Sequence, residues 1–294
     1  MSLKLYHVRV SPSRIVYIPV NGGIVAHEHL SGGAVQSGGH LSYQARKKMR
    51  SAIEWLVASS EWKTCYEKKV KAYVDYRINC VTLTFKKNMT DDRKARRLLS
   101  MWFDMAKKRW QMDKYVWKAE PQERGAIHFH INTDVYLPYN EVCYTWNRLL
   151  SKQGIRQQDA NSTDVHAVLE HEKMVQYLVS YLSDREKHKG RRAIKGRLWG
   201  CSHNLSQASN QPYVADENEV IWMRHNNAEM LLSKKRSDAG KQPLDALKYI
   251  DYYVTNEDAW RQVNNCKLRE WYESRLAELK SKRNDAYVIN FEEQ

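Results

Sequence analysis

Three residue types that can hold a divalent cation sit in one short stretch, residues 115–134, YVWKAEPQERGAIHFHINTD. Two extended runs, 115–120 and 126–131, flank the polar link Pro121-Gln122-Glu123-Arg124-Gly125, where Gly125 is free to take a positive φ at the end of a turn. In a strand, His128 and His130 leave on the same face, while Ile127, Phe129 and Ile131 leave on the other. A hairpin brings Glu120 close to that imidazole pair. Two neutral imidazoles and one carboxylate, with positions left open, suit a divalent ion that must also touch a substrate. Imidazoles equally suit zinc or iron, so the donor set alone leaves the metal open.

A second chemical candidate lies further along, in residues 171–184, HEKMVQYLVSYLSD. Tyr177 and Tyr181 are four apart and stack on one helical face. Met174, Leu178 and Leu182 complete an ordinary amphipathic stripe, so a core role for both tyrosines is the competing reading. A basic linker, Arg185 to Arg197, follows and includes Arg191 and Arg192. It reads either as a loop threading phosphates or as a charged connector. Arg124 in the hairpin link and Lys173 at the start of the tyrosine helix are further candidate DNA contacts. His27, His29 and His40 lie in a glycine-rich setting and read as loop residues rather than ligands.

The elements that must position these groups alternate regularly. Residues 78–85, INCVTLTF, form a β-branched run that predicts a strand. Thr90 is placed to cap a helix carrying Asp91 and Asp92 in its first turn, with Leu98, Leu99, Trp102 and Ala106 as its buried stripe. The hairpin comes next. Asn140 is placed to cap a helix with Val142, Trp146, Leu149 and Leu150, closed by Gly154. Residues 163–169 predict a short strand. The order β-α-β-β-α-β is the split βαβ arrangement, in which the first and third strands are central and the HFH strand is therefore internal. Upstream, Ser42 caps a helix with Ala45, Met49, Ile53 and Leu56 on one face. Residues 15–20 are apolar and β-branched, suggesting an appended hairpin or arm. Residues 220–223 read as a strand, and two helical stretches follow, at about 243–254 and 257–280. The expected organisation is an N-terminal extension (1–75), a catalytic core (76–210) and a mostly helical C-terminal region (211–294).

Composition narrows the class. A net charge of +14 with 10 Trp and 18 Tyr against 4 Phe suits nucleic acid, single strands above all. Charge alone fits a basic protein with solvated helices as well. Five cysteines without a CxxC pair give no zinc knuckle or disulfide framework and suit a reducing cytoplasm. The start, MSLKLYH, does not read as a signal peptide, no apolar span is long enough for a membrane, and no GxxxxGK[ST] phosphate loop occurs.

Taken together, residues 81–85 (VTLTF), Glu120 through His130, Tyr177 with Tyr181, and residues 196–205 (GRLWGCSHNL) resemble the motifs of rolling-circle replication initiators of the HUH endonuclease superfamily. The resemblance is strongest to replication-associated proteins of small single-stranded DNA phages and covers about residues 78–205. Glu120, eight residues before His128, matches the acidic third ligand of many relatives. Ser180 stands where many have a lysine, leaving Lys173 or Arg185, each four residues from a tyrosine, as candidate replacements. The resemblance implies an α+β fold with HUH endonuclease topology on a ferredoxin-like antiparallel sheet, and Mg²⁺ or Mn²⁺ held by Glu120, His128 and His130. It implies nicking and rejoining of single-stranded DNA at a replication origin, expected to be a hairpin, through Tyr177 and Tyr181 with a 5′-phosphotyrosine link and a free 3′-OH primer. With no NTPase loop, a separate helicase and a host polymerase are the expected partners, in the cytoplasm of a bacterial host cell if the chain is phage-encoded. Rival readings are a plasmid initiator, relaxase or single-strand transposase of the same superfamily, a non-catalytic single-strand-binding protein, and a zinc hydrolase.

Overall fold

The computed structural model describes residues 5–12, 14–20, 41–67, 71–156, 160–168, 191–208, 213–222, 252–253 and 266–281. In chain order the strands are β1 (Leu5–Ser11), β2 (Arg14–Pro19), β3 (Lys63–Glu67), β4 (Ala72–Tyr76), β5 (Asn79–Thr84), β6 (Tyr115–Pro121), β7 (Ile127–Thr133), β8 (Thr163–Ala167), β9 (Trp199–Cys201), β10 (Tyr213–Asp216) and β11 (Tyr252–Tyr253). The helices are α1 (Tyr43–Ala58), α2 (Asp92–Trp110), α3 (Tyr139–Lys152), α4 (His203–Ala208) and α5 (Cys266–Ser281). Contacts divide the chain into two units, one drawn from Met1–Leu30 and Ser206–Glu278, the other from Ser31–Leu205 and Leu279–Gln294.

The second unit carries the site. Its five-stranded sheet is antiparallel throughout, in the order β8-β5-β7-β6-β9. The strand bearing the two histidines is internal, as the β-α-β-β-α-β order predicts. Strict alternation divides the sheet into two unlike faces. Val81, Leu83, Trp117, Ala119, Ile127, Phe129 and Ile131 turn to one side, where they meet Leu98, Leu99, Trp102 and Ala106 of α2 and Val142, Trp146, Leu149 and Leu150 of α3 in one buried cluster. Each large apolar side chain removed from water here contributes about 1.5–3 kcal/mol. Edge-on ring contacts tie the layers, with Phe85 5.3 Å from Trp146 and 6.5 Å from Phe129 between centroids. Trp146 also donates its indole N–H to the Thr84 carbonyl at 2.9 Å, fixing α3 against β5.

The other face is polar: Thr82 and Thr84 of β5 lie opposite His130 and His128 of β7, which lie opposite Lys118 and Glu120 of β6. α1 packs against β6 and β9 and buries Ala45, Met49, Ile53 and Leu56, the stripe expected of it, with Ser42 as its cap.

Several boundaries differ from expectation. Asp91, not Thr90, caps α2, its carboxylate accepting the Arg93 and Lys94 amides, because a carboxylate at that position reaches two free N–H groups. α3 starts after Pro138 with no side-chain cap, so Asn140 already lies inside the helix, and proline's fixed φ pre-sets the entry. Gly154 closes that helix with φ +74° as predicted. Residues 217–222 are helical rather than extended: Asp216 and Glu219 exchange backbone-to-carboxylate hydrogen bonds of 2.9 and 3.4 Å, a reciprocal cap that starts a helix.

In the first unit, β1 and β2 form the hairpin suggested by residues 15–20, joined by β10 and β11 in a four-stranded sheet of order β10-β1-β2-β11. β3 and β4 make a separate two-stranded ribbon in the second unit. Among the described residues no helix is long and apolar enough to cross a membrane.

Candidate metal centre

The turn between β6 and β7 fixes the relative height of the three candidate ligands. Gly125 takes φ +86°, and Gln122 accepts from the Gly125 amide at 2.9 Å while donating its own amide to Ala126 at 2.8 Å. The register that results sets Glu120 opposite His128 and Lys118 opposite His130. Glu120 Oε2 then lies 3.3 Å from His130 Nε2 and 3.7 Å from His128 Nε2, and the ligand atoms of all three residues fall within 4.8 Å of one another. The two imidazole rings meet edge to face, 4.6 Å apart.

The site is nearly dry. Glu120 is 7% exposed and Lys118 6%. Burial alone would raise the Glu120 carboxyl, but the imidazoles of His128 and His130 and the Lys118 ammonium outweigh it and hold the group ionised, well below the usual carboxylate range. Burial pushes His128 below its ordinary value, with Glu120 opposing and His130 and Arg191 adding to the fall. His128 is therefore neutral at pH 7, the form that ligates metal.

These residues fit a metal ion. Both ring nitrogens of His128 are buried without a hydrogen-bond partner, a costly state for a polar ring unless something else takes its lone pair. Two ligands about 2.1 Å from one ion stand roughly 3.0–3.4 Å apart between octahedral and tetrahedral geometry, close to the separations here. Thr82 Oγ1 lies 3.1 Å from His130 Nδ1, an outer partner that orients the ring so that Nε2 faces Glu120. Next along β7, Asn132 Oδ1 accepts from the Cys80 thiol at 2.6 Å, and burial lifts that thiol to about 12.

The arginines named from sequence are placed as follows. Arg124 donates to the Phe85 and Lys86 carbonyls and to Gln122 Oε1, tying the hairpin turn to the end of β5. Arg191 donates to the Pro121 carbonyl at 3.1 Å and to Glu123 at 3.3 Å. Arg192 makes a two-pronged pair with Asp92, at 2.7 and 3.0 Å, and donates to the Gly125 carbonyl. The Lys195 amide joins it on Asp92 at 2.7 Å. Arg197 is exposed. Residues 191–195 are thus strapped to the hairpin turn and the start of α2, and the chain continues into β9 beside β6. Tyr177, Tyr181, Lys173 and Arg185 lie outside the described residues, as do His27, His29 and His40.

Sequence reasoning missed Lys118 and Thr82. The signal was available: Lys118 is two residues before Glu120 and Thr82 lies in the VTLTF run, so alternation alone puts both on the histidine face. It also missed β9. There Gly200 is required, since a Cβ would come within 2.7 Å of Trp117 Nε1.

With this geometry in view, comparison with known proteins gives one match. Residues 79–186, a little over a third of the chain, match the family model described as Replication-associated protein, ORF2 type. No curated protein and no solved structure gives a significant match. The matched span contains β5 through β8 and all three members of the metal centre, and it supports a replication initiator that binds DNA.

Proposed function

We propose that the chain is an HUH-type rolling-circle replication initiator that nicks and rejoins single-stranded DNA at its origin. The observation that carries this reading is the convergence of Glu120, His128 and His130 from paired strands, inside the span that matches a replication-associated family. Bound there, Mg²⁺ or Mn²⁺ supplies Lewis-acid polarisation of a non-bridging phosphate oxygen and fixes the scissile phosphate.

The chain's own residues do the rest. Glu120, His128 and His130 form one wall of a dry pocket and leave the remaining coordination positions to oxygen donors. Tyr177 is the nucleophile in this reading. Its Oη bonds to phosphorus, the P–O3′ bond breaks, and the phenol proton passes to the departing 3′ oxygen or to solvent. The products are a 5′-phosphotyrosine and a free 3′-OH that primes synthesis. The link keeps the phosphodiester's free energy, so Tyr181, one turn on, can carry out the second transfer when strands are rejoined. The arginines near the hairpin turn and Arg197 line the approach for phosphates, and unwinding falls to a separate helicase.

The test is direct. Purified protein, Mn²⁺ and single-stranded origin DNA are mixed and resolved on a denaturing gel. A covalent adduct lost on chelation and abolished in the Tyr177→Phe/Tyr181→Phe double variant is expected. An adduct that survives both substitutions refutes the nucleophile assignment.

A further inference from the structure

Lys118 enters neither the metal triad nor the proposed transfer chemistry, yet its ammonium is buried at the centre of the site. It stands opposite His130 on β7 and opposite Trp199 on β9, with Glu120 two residues along its own strand. Its Nζ binds Glu120 Oε1. The other carboxylate oxygen, Oε2, is the one that faces both imidazoles. The carboxylate is therefore divided, one oxygen to a resident cation and one to the candidate metal position.

We infer that Lys118 is a positioning residue that restricts Glu120 to single-oxygen ligation and weakens the centre's hold on a divalent cation. This deepens the functional reading above and rests on it. The steric part follows from the hydrogen bond: a carboxylate whose Oε1 is engaged by an ammonium presents one oxygen to a metal, and a coordination position is left for a phosphate or water oxygen. The electrostatic part follows from charge. Two neutral imidazoles and one carboxylate attract a divalent ion with a formal charge of −1, and an ammonium a carboxylate's width away cancels that charge. In a site this dry, repulsion at such a distance is large enough to change affinity by tenfold or more. Replication needs repeated engagement and release of DNA phosphate, and a cation held loosely on one face serves that better than a saturated, tightly closed site.

The experiment measures Mn²⁺ binding to the full chain at pH 7 by the electron paramagnetic resonance signal of free Mn²⁺. Wild type is expected to bind one ion through the triad, and Lys118→Met to bind it at least tenfold more tightly. Lys118→Arg, which keeps the charge and a donor, is expected to return to within about threefold of wild type. General damage to the fold weakens binding, so tightening is a signature that a merely structural role does not produce. Unchanged or weaker binding in a folded Lys118→Met protein overturns the inference. If that variant does not fold, the structure of wild type with Mn²⁺ decides. One Glu120 oxygen on the ion and the other on Lys118 supports the inference, and two oxygens on the ion overturns it. If wild type binds no Mn²⁺ at Glu120, His128 and His130, the functional reading itself falls. Wild-type binding with an unchanged Lys118→Met affinity removes only the role of Lys118.

Discussion

Replacing Glu120 removes the carboxylate that compensates a buried ammonium. The Lys118 and Glu120 side chains are 7% and 9% exposed, so neither charge is screened as a surface pair would be. Breaking such a pair from one side costs roughly 3–5 kcal/mol, because the remaining charge stays buried without its partner. Glu120→Gln keeps an amide oxygen to accept from Lys118 and falls at the low end. Glu120→Ala also opens a void and falls at the high end. In a unit of this size each kcal/mol shifts the melting temperature by roughly 2–4 °C, so metal-free Glu120→Ala melts about 6–20 °C below wild type. The control is Lys118→Met/Glu120→Met, which removes both charges. It recovers to within about 1 kcal/mol of wild type, since buried pairs replaced by apolar groups of similar volume are close to neutral. Thermal unfolding followed by circular dichroism in the presence of chelator reads all four proteins. A single-variant loss under about 2 °C, or a double variant no more stable than Glu120→Ala, shows that the pair behaves like an exposed one and refutes the reasoning.

Other outcomes follow from single contacts. Gly200→Ala places a methyl 2.7 Å from Trp117 Nε1 and 3.0 Å from its Cε2, and the forced shift lowers unfolding stability by about 1–3 kcal/mol in urea titration. Arg192→Ala strips Asp92 of two charge-assisted bonds while the Lys195 amide remains, costing about 2 kcal/mol and making residues 191–198 cleavable under limited proteolysis; Arg192→Lys restores only part, lacking the planar fork. Trp146→Phe leaves the Thr84 carbonyl without its indole donor and lowers stability by about 1 kcal/mol, measured as the denaturation midpoint.

The metal centre was legible because its geometry depends on a period of two and one tight turn. His128, His130 and Glu120 follow from alternation, and the positive φ of Gly125 follows from the absence of a Cβ. The stripes of α1, α2 and α3 were legible for the same kind of reason, since 3.6-residue spacing is a local property. Helix starts were less so. Thr90, Asp91 and Asp92 are all capable caps, and only the backbone at Asp91, extended at φ −76° and ψ 90°, decides between them. At residues 217–222 a run of apolar side chains suggested a strand, while the deciding interaction was polar and lay just upstream, at Asp216 and Glu219. β9 has three residues and no period to read, and its partner β6 lies some 80 residues earlier, so pairing is set by tertiary contact alone. Lys118 reads as a surface lysine by type, and its burial comes from β7 and β9 on either side of β6.

The claim on which the rest depends is that Glu120, His128 and His130 grip one cation. Crystals grown with Mn²⁺ and measured for its anomalous scattering test this most directly. The account predicts a single strong peak about 2.1–2.3 Å from Glu120 Oε2, His128 Nε2 and His130 Nε2. A peak held by other residues, or none between the two strands at saturating Mn²⁺, contradicts it.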